Sequence, residues 1–224
     1  MTYKGILFDF NGVLLWDTLW HDEAWRQSSK LLRGIALSDE EMSEFVHGRT
    51  NTETFMYLLG KKPGAKELQE HTESKEKMYQ DIAVSQGGHF SLSPGAEKLL
   101  NLLKENNVPR TIATSAPWIN VDFYIKHLHL EKWFDVERIV YDDGNHRSKP
   151  APDMYLEAAE KIHIPIAECI VIEDSGSGIQ AAVNAGAGKI IGLGPKEKHD
   201  KLRALGANKT VETLTEVSLE DLRD

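Results

Sequence analysis

Asp9 closes a short apolar run, Leu7-Phe8-Asp9-Phe10-Asn11-Gly12-Val13-Leu14. A carboxylate at the carboxyl end of a strand stands where open α/β sheets bind ligands. Gly12 permits a sharp turn that brings backbone N–H groups toward an anion. Such an Asp can act as a nucleophile, and it can equally cap a turn; this stretch alone does not decide. Thr114-Ser115-Ala116 also ends a β-rich run, and hydroxyls and free N–H groups there can hold phosphate oxygens, though an ordinary Ser/Thr turn reads the same way. In Ser148-Lys149-Pro150-Ala151-Pro152-Asp153, two prolines stiffen the chain around Lys149, whose ammonium can neutralise a carboxylate and a phosphoryl group or simply be solvated. In Glu173-Asp174-Ser175-Gly176-Ser177-Gly178, two adjacent acids follow an apolar strand. Burying them is costly unless a cation meets them, and Mg²⁺ suits a site of carboxylates and waters.

These residues need elements to hold them. Strands are predicted at Lys4–Phe10, Arg110–Ser115, Val136–Tyr141, Cys169–Asp174 and Lys189–Leu193, with a possible edge strand at Lys209–Val211. The first and the last two of the five main runs are apolar blocks, as in a sheet covered on both faces. Helical patterns run over Ala96–Asn106, Pro152–Ile162 and Ile179–Ala185, the last stopping before Gly186. The alternation predicts an α/β fold with a doubly wound parallel sheet. Thr18–Gly87 breaks the rhythm: Asp17 or Thr18 can cap a helix through Leu32, Ser38 and Glu41 form a capping-box pattern, and Thr52–Leu59 and Ala65–Ala83 read as helices. The expected organisation is a core of 1–16 plus 88–224 with an inserted all-helical cap, 17–87.

Taken together and in this order, the four motifs resemble those of the haloacid dehalogenase superfamily, in its helical-cap, β-phosphoglucomutase-like branch, over essentially the whole chain. The resemblance implies an aspartyl-phosphate mechanism with Asp9 as nucleophile, and a central first strand flanked by the second and fourth. It implies Mg²⁺ held by Asp9, the Asn11 carbonyl and Asp174, with Glu173 placing a ligand water. Thr114, Ser115, Ala116 and Lys149 would stabilise the transferring phosphoryl group.

Position 11 departs from the pattern. Phosphatases of this type usually carry a second Asp two residues after the nucleophile, as general acid and base. An amide cannot deliver or accept that proton, and such catalysis is typically worth about 10²–10⁴ in rate. On sequence alone, Asn11→Asp is expected to speed turnover of alkyl esters. Asn11 is either native with a compensating group, native in a weak member, or a change that traps a complex. His21, in His21-Asp22-Glu23-Ala24-Trp25, is the candidate substitute proton carrier or a structural residue; Arg49 is a candidate for a distal anionic group or a surface residue. Trp16, Trp20, Trp25 and Trp118 can line a cleft wall or fill the core. The expected activity is a Mg²⁺-dependent phosphatase for a small phosphorylated metabolite. The alternatives are a β-phosphoglucomutase-like phosphotransferase and a catalytically weak phosphate-binding relative. A dinucleotide enzyme is disfavoured: Gly176-x-Gly178-x-x-Ala181 fits the fingerprint, but Glu173 and Asp174 would repel a pyrophosphate.

With 26 Lys plus Arg against 35 Asp plus Glu, the net charge of −9 opposes general attraction to nucleic acid or anionic membranes. No apolar run approaches the roughly 20 residues of a membrane span. A single cysteine, Cys169, rules out an internal disulfide framework and fits a cytoplasmic location. No strong interface pattern appears, so a monomer is favoured.

Overall fold

A computed structural model of the chain describes residues 2–223. The chain starts with β1 (Gly5–Phe8), followed by four helices: α1 (Thr18–Arg33), α2 (Asp39–Phe45), α3 (Asn51–Leu59) and α4 (Ala65–Ser85). Next come α5 (Ala96–Glu105), β2 (Arg110–Pro117), α6 (Trp118–Leu128), β3 (Val140–Asp142) and α7 (Asp153–Lys161). The chain continues through β4 (Cys169–Glu173), α8 (Gly176–Ala185), β5 (Lys189–Leu193), α9 (Lys196–Ala204) and β6 (Lys209–Val211).

The strands form one sheet in the order β3-β2-β1-β4-β5-β6, and every pairing is parallel. Parallel neighbours need crossovers, and the helices supply them on both faces. Burial follows the strand period of two. Ile6 and Phe8 of β1 pack with Ile170 and Ile172 of β4 against the α5 and α6 side. Leu7 and Val171 pack against α7 and α8. Cys169 lies in that second layer, and burial pushes its thiol up to about 12.

The third strand differs from expectation. Val136–Arg138 is a turn of 3-10 helix, started by Asp135 accepting from the Glu137 N–H, and the strand begins only at Val140. The local Asx turn outcompetes the β-branched residues at the strand's expected start.

The four consecutive helices form the cap. The Ser38–Glu41 capping box is present, and Thr50 with Glu53 makes a second one at α3. Trp25, Leu37, Met42, Val46, Phe55 and Leu58 form a separate apolar cluster there. Ala24 of α1 and Tyr79 and Ala83 of α4 belong instead to the large core cluster, so the cap is seated on the sheet layer by its first and last helices.

Candidate active site

The strand order reverses beside β1, which opens a crevice at the carboxyl ends of β1, β2 and β4. Asp9 follows β1, and its N–H still reaches the Ile172 carbonyl at 3.0 Å. Glu173 ends β4, and Asp174 follows it. One carboxylate oxygen from each of Asp9, Glu173 and Asp174 lies within 4.8 Å of the others. Two glycines make this packing possible. Gly12 has φ +84°, and a Cβ there would lie 2.5 Å from Asp174 Cγ. A Cβ at Gly178 would fall inside the Glu173 carboxylate. Of the Gly-x-Gly pair that also suits a dinucleotide turn, Gly178 makes room for an acid, while a Cβ at Gly176 would meet only Leu205 Cδ1 at 3.0 Å.

Lys149 is the cation among these acids. Its Nζ donates to Asp9 Oδ1 at 2.7 Å and to Glu173 Oε1 at 2.6 Å. It is 4 % exposed, so it is no solvated surface lysine. Glu173 is fully committed: Oε1 also accepts from the Tyr155 hydroxyl, and Oε2 from the Ser175 N–H and hydroxyl. Burial raises the Asp9 pKa to about 7, against the lowering effect of Lys149. Burial would also raise Glu173, but Lys149 and the Ser175 N–H outweigh it and its pKa falls. Asp174 is pushed well up, by burial and then by Glu173 and Asp9. Among the described residues nothing donates a hydrogen bond to Asp174. Three crowded carboxylates with one ammonium, one of them without a donor, form an all-oxygen set that a hard divalent cation fits.

The motif after β2 divides its residues. Thr114 Oγ1 donates to Asn11 Oδ1 at 3.3 Å and accepts from the Ala116 N–H at 3.1 Å, so that N–H is already engaged. Ser115 turns its hydroxyl to Met154 Sδ at 3.9 Å, on the α7 side. Alternation along the strand sends Ser115 away from its neighbours. All three still line the cleft, which measures about 670 Å³.

The cleft also takes in His21 and Arg49 from the cap, together with Asn51, Lys75, Glu76, Asn120, Lys198 and Lys201. His21 stacks on Tyr79, with ring centroids 3.8 Å apart. Arg49 is exposed and has no ion pair among the described residues. Of the four tryptophans that could form a wall, Trp25 lines the cleft.

Several polar residues here escape sequence analysis. Lys75 and Glu76 form a buried ion pair at 3.0 Å on α4. Glu76 also accepts from Asn51 of α3 at 2.6 Å and from Asn120 of α6 at 2.7 Å, tying the cap to the core. The cap loop makes two further contacts. Ser148 Oγ donates to Thr50 Oγ1 at 3.3 Å, and Gly48 backs onto Ser177. Asp17, a candidate helix cap by sequence, makes no cap bond with its side chain. It turns instead to Asn11 and Tyr79.

An Asp at the switch point of a parallel sheet, beside a buried Lys and two further acids and under a helical cap, is the arrangement of a haloacid dehalogenase-type site. The sequence model of the haloacid dehalogenase-like hydrolases matches residues 3–186, and the chain belongs to that family. It falls in the β-phosphoglucomutase-like branch. It is 27% identical to a phosphorylated carbohydrates phosphatase of Thermotoga maritima, over 85% of each chain. It is 28% identical to the beta-phosphoglucomutase of Bacillus subtilis, covering 99% of this chain and 94% of that one. The crystal structure of a family IA, variant 3 HAD hydrolase from Entamoeba histolytica superposes with a TM-score of 0.86 at 37% identity, covering 98% of this chain and 97% of that one. The chain is thus an enzyme of the phosphoric monoester hydrolase class. Among the described residues no helix is long and apolar enough to cross a membrane.

Proposed function

We propose that the chain is a Mg²⁺-dependent phosphatase of a small phosphorylated metabolite, most simply a sugar or polyol phosphate, working through a phosphorylated Asp9. The observation that carries this reading is the placement of Asp9: it lies on the cleft floor with Oδ1 held by Lys149, 2.7 Å away. That bond fixes the carboxylate for in-line attack and leaves it ionised when a cation neutralises its neighbours.

Asp9, Asp174 and the Asn11 carbonyl would hold Mg²⁺, with Glu173 acting through a water because its own oxygens are taken. The ion would supply charge neutralisation for a dianionic phosphate. Lys149 spans nucleophile and phosphoryl group and stabilises charge that develops on the oxygens in transit. Thr114 and the turn backbone orient the phosphate. The cap loop around Arg49 closes the mouth and excludes bulk water. The chemistry of the relatives supports a phosphorylated carbohydrate as substrate, and the polar wall made by His21 and Asn51 of the cap with Asn120 of the core suits a hydroxylated one.

The test is phosphate release across a panel of phosphomonoesters, with and without Mg²⁺. Release that needs the metal and is lost in Asp9→Asn supports the reading; absence of release from every ester refutes it. Transfer of the phosphoryl group to a second sugar hydroxyl, in place of release, would identify the mutase alternative.

A further inference from the structure

Residue 11 is not a carboxylate that has simply gone missing. Its amide is built into a buried hydrogen-bond network. Asp17, just before α1, is 1 % exposed. Its Oδ2 accepts from Asn11 Nδ2 at 2.7 Å and from the Tyr79 hydroxyl at 2.6 Å, and lies 3.3 Å from His21 Nε2. Its Oδ1 is buried without a partner. All of its bonding is therefore concentrated on the oxygen that faces residue 11. A carboxylate only accepts, so the amide atom against it must be nitrogen.

The second hydrogen of that nitrogen is spent as well, between the Tyr124 hydroxyl at 3.0 Å and His21 Nε2 at 3.2 Å. The other end of the amide, Oδ1, accepts from Thr114. Lys75 Nζ lies 3.1 Å from His21 Nδ1, and an ammonium can only donate. On its other side the imidazole Nε2 lies 3.2 Å from Asn11 Nδ2, 3.4 Å from the Tyr124 hydroxyl and 3.3 Å from Asp17 Oδ2. Asn11 and Tyr79 donate to the Asp17 carboxylate, and the His21 ring stands beside it.

We propose that Asp17 is a positioning residue for the reaction at Asp9: it holds position 11 as an amide and commits both amide hydrogens to the network, leaving the carbonyl side for the cleft. The consequence concerns the substrate. Asn11 offers an acceptor that can orient a hydroxyl or the hydrolytic water, and offers no donor to the leaving oxygen. A second consequence reverses what the sequence alone suggests for Asn11→Asp. A carboxylate there would meet Asp17 Oδ2 at contact distance. The ammonium of Lys75, on the far side of the His21 ring, is already engaged by both oxygens of Glu76. Like charges in contact in a buried site are strongly unfavourable. The site accepts a carboxylate at 11 only if position 17 gives one up.

This inference rests on the phosphatase reading for its kinetic test, while a melting test is independent of it. Four full-length proteins are compared: wild type, N11D, D17N and the swap N11D/D17N. With a hexose phosphate and Mg²⁺, N11D should lower kcat about tenfold with KM little changed, the size expected for coupled contacting residues. The swap should regain most of that loss, since an amide at position 17 can donate to a carboxylate at position 11, the reverse of the bond between Asn11 and Asp17. A kcat for N11D at or above wild type, or a swap no better than N11D, overturns the proposal. In thermal melting, N11D should fall below wild type and the swap should recover. If wild type releases no phosphate, the phosphatase reading fails while the melting comparison still decides the pair: an N11D that melts with wild type overturns it.

Discussion

Lys149 and Glu173 form an ion pair of 2.6 Å that is almost wholly buried, and the same ammonium holds Asp9 at 2.7 Å. The lysine thus has a structural anchor on one side and a reactive partner on the other. Glu173 in turn is fixed by Tyr155 and by the turn that opens α8. Lys149→Met should lower kcat by about 10²–10³, the usual cost of removing one preorganised electrostatic group. It should also weaken the fold, because Glu173 is left buried without its cation. Steady-state kinetics with parallel thermal melting checks both. A variant that keeps full kcat would remove Lys149 from the chemistry.

The acid cluster predicts an inverted pH dependence of stability in the metal-free protein. Asp9 has its pKa raised to about 7, and Asp174 is also raised. Between the ordinary carboxylate range and about pH 7, the folded protein holds protons that the unfolded chain has lost. Stability from these groups therefore falls as pH rises through that window. Glu173 is lowered, and its contribution is lost only at acid pH, below that window. Mg²⁺ binds the ionised acids and competes with protons. Adding it should raise Tm more at pH 8 than at pH 5. Melting curves after chelation and after Mg²⁺ addition measure this; an equal shift at both values would dissociate the cluster from the metal.

Gly178 tests whether the room around Glu173 matters. A Cβ there overlaps the carboxylate. Gly178→Ala should destabilise by about 1–3 kcal/mol, the cost of overpacking, and should lower kcat by displacing Glu173 and with it Lys149. Gly64→Ala is the control, since a Cβ there meets nothing within 4 Å. Equal melting temperatures for the two variants would contradict the packing argument.

The tie between cap and core is testable through Glu76. Glu76→Ala would strand Lys75 in the interior, at a cost of about 3–5 kcal/mol. Asn120→Ala removes one charge-assisted hydrogen bond and should cost less, about 1.5–3 kcal/mol. Denaturant melts give the ranking, and the reverse order would show that the cap is held mainly elsewhere.

The parts legible in the sequence are those governed by local rules. Apolar blocks locate β1, β4 and β5, and a capping box locates α2. The positions of Asp9, Lys149, Glu173 and Asp174 at strand ends or in the loops between follow from the motifs. Less legible are groups whose meaning depends on distant chain segments. Asp17 reads as a helix cap because its partner Tyr79 is 62 residues away. Lys75 and Glu76 are two charges among many in a polar helix, and the seating of α4 against α1, α3 and α6 buries them. Ser115 looks equivalent to Thr114 until strand alternation separates them. The start of β3 escapes the sequence because one Asx turn decides it.

The proposed reaction depends on Asp9 becoming phosphorylated during turnover. Rapid quenching of a single turnover with a reactive phosphomonoester, followed by mass spectrometry of the peptide carrying Asp9, tests it most directly. A phosphoryl adduct on Asp9 is expected to form before phosphate is released, to decay as release proceeds, and to be absent in Asp9→Asn, which also releases no phosphate. Phosphate release with no adduct on Asp9 at any time, and undiminished in Asp9→Asn, would contradict it.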